Sequence, residues 1–113
     1  MQYIFHEPTD YIFKDRDGHD GKSFGTNSKT SGHLIIECTD KLTVALTQNE
    51  VEFNYYVIAG NGYFILNDEK QAVSTGDLVV IPPKTKYTFG GQLKMLLIQT
   101  SPWSADQETV ERL

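Results

Sequence analysis

Three side chains of the sequence could carry acid–base chemistry. Tyr55 lies in the apolar segment "FNYYVIA" and Tyr87 in "KYTFGG", and a positioned phenol can act as a general acid. His33 begins the segment "HLIIEC", and imidazole is the side chain that titrates near neutral pH. These residues are therefore the candidate catalytic groups, with His33 as the base and either tyrosine as the acid.

The remaining histidines and the single cysteine lie in contexts that favour structural roles. His6 is expected to be solvated or at a strand edge. His19 lies in "DRDGHDG", which is expected to be a solvated turn; the segment lacks calcium-loop spacing, because such a loop needs glycine where Asp20 stands. Cys38 ends an apolar segment with no cation or helix N-terminus beside it, so we expect a buried, inert thiol.

The elements that would position these groups are strands. Segments rich in β-branched and aromatic residues recur over residues 33–100 and predict eight or nine strands, with "GNG" and "GG" among the turns. The expected fold class is all-β, an antiparallel β-barrel or jelly roll. Ser104 and Gln107 form a capping-box pattern, which predicts a short C-terminal helix of about two turns.

We expect the 113 residues to form one domain. Residues 1–32 are expected to be a loop-rich N-terminal arm with one or two short extended pieces. Residues 33–103 are expected to form the barrel, and residues 104–113 the short helix and tail.

The composition argues against some classes of partner. With 15 acidic and 10 basic residues the net charge is −5, and the basic residues form no cluster, which disfavours nucleic acid and anionic membranes. The N-terminal residues lack a signal-peptide pattern, and no apolar run reaches the roughly 18 residues of a membrane span. The single cysteine is compatible with a reducing compartment, so we expect a cytoplasmic location.

The segment "FNYYVIAGNGYFILNDEKQAVSTGDLVVIPPKTKYTFGG" resembles the core of the small single-domain cupins. The shared framework is Tyr56-Val57, Gly60 and Gly62, Gly76-Asp77 and Ile81-Pro82-Pro83, all at matching spacing. The resemblance covers residues 43 to about 103, and "SPW" at residues 101–103 resembles the end of the barrel in many cupins. It implies the cupin jelly-roll fold.

The resemblance also implies where a metal would be held, since cupins typically use three histidines and one glutamate. The glutamate position falls on Phe53 and the last histidine position on Tyr87. The other two positions fall on Thr47 and Asn49, or on Leu46 and Gln48 if the gap is one residue longer. None of these is an imidazole or a carboxylate, the donors such sites need, so no metal or other cofactor is expected.

Strand alternation predicts what fills the barrel interior instead. If Phe53 and Tyr87 point inward, so do Tyr55 and Phe89. The predicted ligand-binding residues are Asn49, Phe53, Tyr55, Tyr87 and Phe89, with Asn49 at the polar edge. Met95 and Gln99 share a parity on the last long strand, but the sequence does not identify its inner face. The alternative is a barrel filled solidly by side chains.

Three functions are compatible with these residues. The first is a metal-independent protein that binds a small, partly apolar molecule in an aromatic-lined pocket, without clear catalytic machinery. The second, suggested by the resemblance, is a metal-independent isomerase or epimerase acting on a sugar-like substrate with a tyrosine acid and a histidine base. The third is a metal-dependent cupin enzyme with atypical ligands, which would need His6, His19 and His33 to converge. Exposed strand edges, and the segment "QYIF" as an added strand, predict a homodimer.

Overall fold

The computed structural model describes residues 1–101 and 104–113. Its strands are β1 (Phe13–Arg16), β2 (His19–Ser23), β3 (Gly32–Cys38), β4 (Val44–Gln48), β5 (Phe53–Leu66), β6 (Glu69–Ser74), β7 (Leu78–Ile81), β8 (Lys86–Gln99) and β9 (Glu108–Arg112). Every strand pair among the described residues is antiparallel, as the sequence predicts. The part of the "SPW" resemblance that falls on residues 102 and 103 lies outside the described residues.

Two long strands, β5 and β8, pair along their length and form the centre of the sheet. The second edge of β8 pairs with β3 and β4, from which β2, β1 and β9 extend. The second edge of β5 pairs with β7 and β6. The sheet curls into a half-barrel whose inner face carries the hydrophobic core, so the all-β expectation is confirmed.

The predicted turns "GNG" and "GG" are wrong, because both segments lie inside the long strands. Gly60 and Gly91 have φ angles of 109° and 106°, which residues with a side chain rarely adopt. A Cβ on Gly60 would lie 1.9 Å from the carbonyl oxygen of Gln92, so only glycine allows this close approach. A register shift after Val57 then turns Phe64, beyond it on β5, back toward the core.

The predicted C-terminal helix is also wrong. Residues Ala105–Gln107 form a single 3-10 turn, and Ser104 makes no capping bond to the backbone. The residues that follow form β9, which pairs with the edge of β4 from Val44 to Gln48. An isolated two-turn helix is marginal in water, whereas a strand satisfies the backbone groups of an otherwise open edge. No helix formed by the described residues is long and apolar enough to cross a membrane.

Candidate functional site

The inner face of the half-barrel encloses a cavity of about 490 Å³. Its apolar lining residues are Ile12, Phe13, Leu34, Ile36, Leu46, Phe53, Leu97 and Val110. Its polar lining residues include Arg16, Asp17, His19, Tyr55, Gln99 and Glu108, together with hydroxyl groups from residues 23–31. Ile12 and Val110 are 57% and 50% exposed and mark the mouth. The interior is therefore not filled solidly by side chains.

Five rings form one side of the interior, called here the aromatic wall: Phe53, Tyr55, Phe64, Tyr87 and Phe89. Phe64 pairs with Phe89 across β5 and β8, and their ring centroids lie 5.0 Å apart. All four aromatic residues that alternation places inside are buried. Phe53 and Tyr55 line the cavity, whereas Tyr87 and Phe89 pack against Tyr55 and have no cavity surface.

A buried chain of hydrogen bonds, called here the polar chain, runs from the aromatic wall to β9. The hydroxyls of Tyr55 and Tyr87 lie 3.0 Å apart, and Nε2 of Gln48 lies 3.5 Å from the Tyr87 hydroxyl. The same Nε2 donates to Oε2 of Glu108 at 2.6 Å, and Nε2 of Gln107 donates to Oε1 of Gln48 at 2.6 Å. Burial raises the pKa of both tyrosines above its usual value, so both phenols remain protonated at neutral pH.

Asn49 does not face the cavity, so its expected place at the polar edge is wrong. On β4, Val44, Leu46 and Gln48 face inward, and Asn49 faces the other way. Its side-chain amide donates to the carbonyl of Gln107 and to the hydroxyl of Thr109 on the outer side of β9. Gln48, only 1% exposed, takes the inner position, which corresponds to the longer of the two gaps allowed by the sequence.

His19 lies on the inner face, and its predicted place in a solvated turn is wrong. Asp17-Gly18 is a two-residue hairpin turn with φ angles of 50° and 102°, which positions His19 at the start of β2. His19 pairs with Cys38 of the core, and direct cross-strand partners share a face. Its ring makes edge contacts with Phe13 and Phe89, at 4.9 Å and 5.9 Å between centroids.

The imidazole of His19 has a defined tautomer. Its Nδ1 contacts the carbonyl oxygen of Arg16, which can only accept, so Nδ1 carries the proton and Nε2 keeps a free lone pair. Burial lowers the pKa of His19 from its ordinary value of 6.5, against a smaller raising effect of the Arg16 carbonyl. The ring is therefore neutral at pH 7 and can act as an acceptor or a base.

His33, the base predicted from sequence, is less available. His33 pairs with Ile98 on β8. Leu97, the residue next to Ile98, faces the core, so Ile98 and His33 face outward and the His33 ring leaves β3 on the outer side. It reaches the cavity edge beside residues 23–31, where both ring nitrogens are within reach of hydroxyls: Thr26 at 3.4 Å and Ser31 at 3.2 Å.

Gln99 and Met95 both face inward on β8, at 5% and 0% exposure, and Gln99 also lines the cavity. Gln99 pairs with Gly32 of β3, where a Cβ would lie 2.8 Å from the Gln99 amide oxygen. Gly32 therefore leaves room for this amide at the end of the cavity.

The positions at which a cupin would hold its metal do not fit one in this chain. Leu46, Gln48, Phe53 and Tyr87 occupy the inner face there, and none offers an imidazole or a carboxylate. The described residues also contain no group of three or more His, Cys, Asp or Glu side chains suited to a metal ion. Cys38 is buried, and burial raises its thiol pKa, as expected for an inert cysteine.

Sequence reasoning missed Glu108, because it placed this residue in a helix. The segment "ETVER" contains adjacent β-branched residues, a signal for a strand. The hairpin dipeptide Asp17-Gly18 was the corresponding signal for His19. Arg16, Asp17 and His19 of this hairpin, with Glu108 of β9, are called here the polar rim.

Comparison with solved structures identifies the fold. The chain superposes on Streptomyces Pac13, described as a nucleoside dehydratase, with a TM-score of 0.89 at 21% identity, covering 100% of this chain and 93% of that one. Structures of one histidine-to-glutamine and two tyrosine-to-phenylalanine variants of Pac13 contain uridine. KdgF of Halomonas matches with a TM-score of 0.75 at 19% identity, over 94% of this chain and 98% of that one.

The cupin domain of Schizosaccharomyces pombe Cnp3 matches with a TM-score of 0.69 at 6% identity, over 82% of this chain and 69% of that one. The chain therefore has the cupin jelly-roll fold, as the sequence resemblance implies.

Sequence comparison adds little to this result. No protein-family model matches the chain. A curated relative, the uncharacterized protein MJ1618 of Methanocaldococcus jannaschii, is 37% identical over 62 residues. That match covers 50% of each protein, so the chain spans about half the length of this relative.

Proposed function

We propose that the protein binds a small, partly apolar molecule in the barrel cavity and holds it by direct contacts rather than through a metal. The observation that carries this proposal is the lining of the cavity, where Phe53 and Tyr55 present flat rings and His19, Gln99 and Glu108 present polar atoms. Ligand pockets of proteins typically enclose about 300–1,000 Å³ and combine apolar walls with a few placed polar groups.

A molecule of nucleoside or sugar size suits this cavity. A flat ring would stack on the aromatic wall, and hydroxyl groups would meet the polar rim, where carboxylates and an unprotonated imidazole nitrogen accept hydrogen bonds. The uridine bound to Pac13, which has the same fold, supports this size and polarity.

Binding is tested by titrating uridine, and ribose in parallel, into the protein in a calorimeter. Tyr55→Phe is expected to weaken binding of uridine roughly tenfold, because it removes a hydroxyl from the cavity. Tyr56→Phe is the matched control, since Tyr56 is the next residue of β5 and lies on the outer face. Failure of both molecules to bind at millimolar concentration would contradict the proposal for this ligand class.

Metal independence is tested by exposing tag-free protein to iron, manganese, nickel and zinc, removing the excess and measuring bound metal by plasma mass spectrometry. We expect well below one atom per chain, because the inner positions lack imidazole and carboxylate donors. One tightly held atom per chain would contradict this part of the proposal.

A second candidate function, favoured by the fixed tautomer of His19, is metal-independent proton transfer of the kind used by an isomerase, epimerase or dehydratase. Nε2 of His19 would take a proton from a carbon beside a carbonyl, and the electron pair would move to the carbonyl oxygen, where the Tyr55 hydroxyl stabilises the charge. His33 then has no direct part in the reaction.

Once a substrate is identified, His19→Gln should abolish turnover and leave its binding within a few-fold of the unchanged protein. His6→Gln, in the exposed N-terminal segment, is the control. If His33→Gln abolished turnover and His19→Gln did not, His33 would be the base and the assignment would be reversed.

We also propose a homodimer that uses the outer face of β5 and β7. Tyr56, Leu78 and Val80 are 43%, 59% and 52% exposed there, and adjacent exposed apolar side chains commonly mark an interface. Light scattering should give twice the chain mass, and Leu78→Lys should shift it toward the monomer while Gln71→Lys on β6 does not. A monomer mass for the unchanged protein would end this proposal.

A cytoplasmic location, and the absence of nucleic-acid and membrane partners, stay predictions from the sequence.

A further inference from the structure

The hydrogen bonds of the polar chain have a direction. An ionised carboxylate only accepts, so the side of the Gln48 amide that faces Glu108 must be the NH₂ group. The amide oxygen of Gln48 then faces Gln107, whose NH₂ group donates to it. The oxygen of Gln107 in turn accepts the backbone N–H of Glu50. Every amide in the chain therefore has one orientation.

This orientation determines where the tyrosine protons point. The Tyr87 oxygen faces the NH₂ group of Gln48 and accepts from it. Tyr87 is 1% exposed and has no surface on the cavity, so among the residues that the structure describes the oxygen of Tyr55 is the partner left for its proton. Because Tyr55 lines the cavity and already accepts from Tyr87, its own O–H is directed to whatever occupies the cavity.

We propose that Gln48 is a positioning residue that makes Tyr55 a donor to the ligand, and that the site accepts ligands with a ring carbonyl against the aromatic wall. This inference rests on the proposed small-molecule binding and specifies its chemistry. A carbonyl oxygen accepts the Tyr55 proton and has no proton of its own that would need a partner.

A hydroxyl or amino group at the same place would be less favourable. A ligand hydrogen there would face the hydrogen of the Tyr55 hydroxyl, and two donors do not bond each other. Such a donor would have to turn to the acceptors of the cavity lining, Gln99 and Glu108, instead. In a nucleoside whose sugar hydroxyls meet the polar rim and whose ring stacks on Phe53, the ring edge remote from the sugar would point to the Tyr55 hydroxyl.

Uridine and cytidine test this inference because they have nearly the same shape and differ at that ring edge. At C4, the ring atom opposite the nitrogen that carries the sugar, uridine has a carbonyl and cytidine an amino group. The adjacent N3 is a donor in uridine and an acceptor in cytidine, so the comparison tests which of the two edges Tyr55 meets at C4. The unchanged protein should bind uridine roughly tenfold or more tightly than cytidine, measured as the ratio of the two dissociation constants by calorimetry.

Gln48→Glu should invert the preference. The new carboxyl lies against the Glu108 carboxylate, so the two share one proton, which is held between them. The carboxyl oxygen beside Tyr87 then accepts, so the Tyr87 proton turns away from Tyr55 and Tyr55 donates to Tyr87 instead. The Tyr55 oxygen then presents a lone pair to the ligand, which favours the amino group of cytidine. If Gln48 had a purely structural role, Gln48→Glu would weaken the binding of both nucleosides equally and leave the ratio of their dissociation constants unchanged.

Two further variants complete the test. Asn49→Asp makes the same amide-to-acid change on the outer face and should keep the uridine preference. Tyr55→Phe should abolish the preference, and it remains informative if Gln48→Glu does not fold. Equal binding of both nucleosides by the unchanged protein would overturn the carbonyl assignment while leaving the proposed binding function standing. Failure to bind either nucleoside would overturn both.

Discussion

The aromatic wall and the polar rim line one cavity and meet where His19 contacts Phe89 and Glu108 contacts Gln48, yet they are built differently. The wall belongs to the two long central strands; its rings are at most 4% exposed, and its polar atoms are tied into one hydrogen-bonded chain. The rim consists of the β1–β2 hairpin and the start of β9, which lie at the ends of the sheet and open toward the mouth.

This difference separates two tasks of a binding site. Burial keeps the tyrosines of the wall protonated, so the wall supplies shape and a permanent donor. The rim supplies the acceptors Asp17, Glu108 and His19, and burial lowers the pKa of His19 from its ordinary value of 6.5, so its ring becomes charged only at a pH below that value. Selectivity for the shape of a ligand should therefore depend on the wall, and the pH dependence of binding and stability in mild acid should depend on the rim.

The largest expected effect concerns packing in the wall. Phe64→Ala should lower the free energy of unfolding by about 3–5 kcal/mol, because it leaves a cavity at a side chain that is 0% exposed. Phe13→Ala in the partly exposed β1 should cost less than about 2 kcal/mol. Denaturant unfolding of both variants measures the contrast.

Phe64→Leu serves if the alanine variant does not fold, and it should still cost more than Phe13→Leu. Equal losses in the two regions would show that the β1–β2 hairpin packs as tightly as the central strands, and the comparison of wall and rim would fail.

The sequence predicts the wall much better than the rim. Phe53, Tyr55, Tyr87 and Phe89 follow strict two-residue alternation on strands whose apolar content identifies them, so their inward direction could be derived. His19 and Glu108 lie in polar segments without an apolar pattern. Their positions depend on pairing with distant strands, β3 and β4, which local sequence does not specify.

Register explains the remaining error at the site. A single residue of uncertainty in the gap before Phe53 exchanges Gln48 for Asn49, and such a shift moves a side chain to the opposite face. Residues 49–52 connect β4 to β5. How many residues this loop contains, and therefore which side chains of β4 face inward, becomes visible only once the paired strands are known. The cupin resemblance could supply both alternatives and could not choose between them.

A smaller effect is expected when the polar chain of the wall is interrupted. Tyr87→Phe removes one hydroxyl and should lower the free energy of unfolding by about 1 kcal/mol, because the Tyr55 hydroxyl and Nε2 of Gln48 each lose a contact. Tyr56→Phe removes the same group from the exposed outer face of β5; it is the control and should change the free energy of unfolding by less than about 0.5 kcal/mol. A Tyr87→Phe protein as stable as the unchanged one would show that the chain contributes no net stability.

The smallest effects are expected when the pH is changed. The rim should affect the free energy of unfolding at acid pH, and the wall should affect it at alkaline pH. The pKa of His19 is lowered in the folded state, so the unfolded chain takes up protons first, and stability should fall as pH drops below 6.5. The pKa values of Tyr55 and Tyr87 are raised in the folded state, so their contribution should be complete below pH 10.0 and lost above it.

Unfolding free energies measured from pH 5 to pH 11 should therefore show one acid and one alkaline decline, and variants assign each to its region. His19→Gln should reduce the acid decline and leave the alkaline one, because its side chain does not titrate. Tyr87→Phe should do the reverse. If His19→Gln changes neither limb while His6→Gln reduces the acid one, the buried imidazole of the rim is not the titrating group, and the rim loses its role as the pH-sensitive side of the cavity.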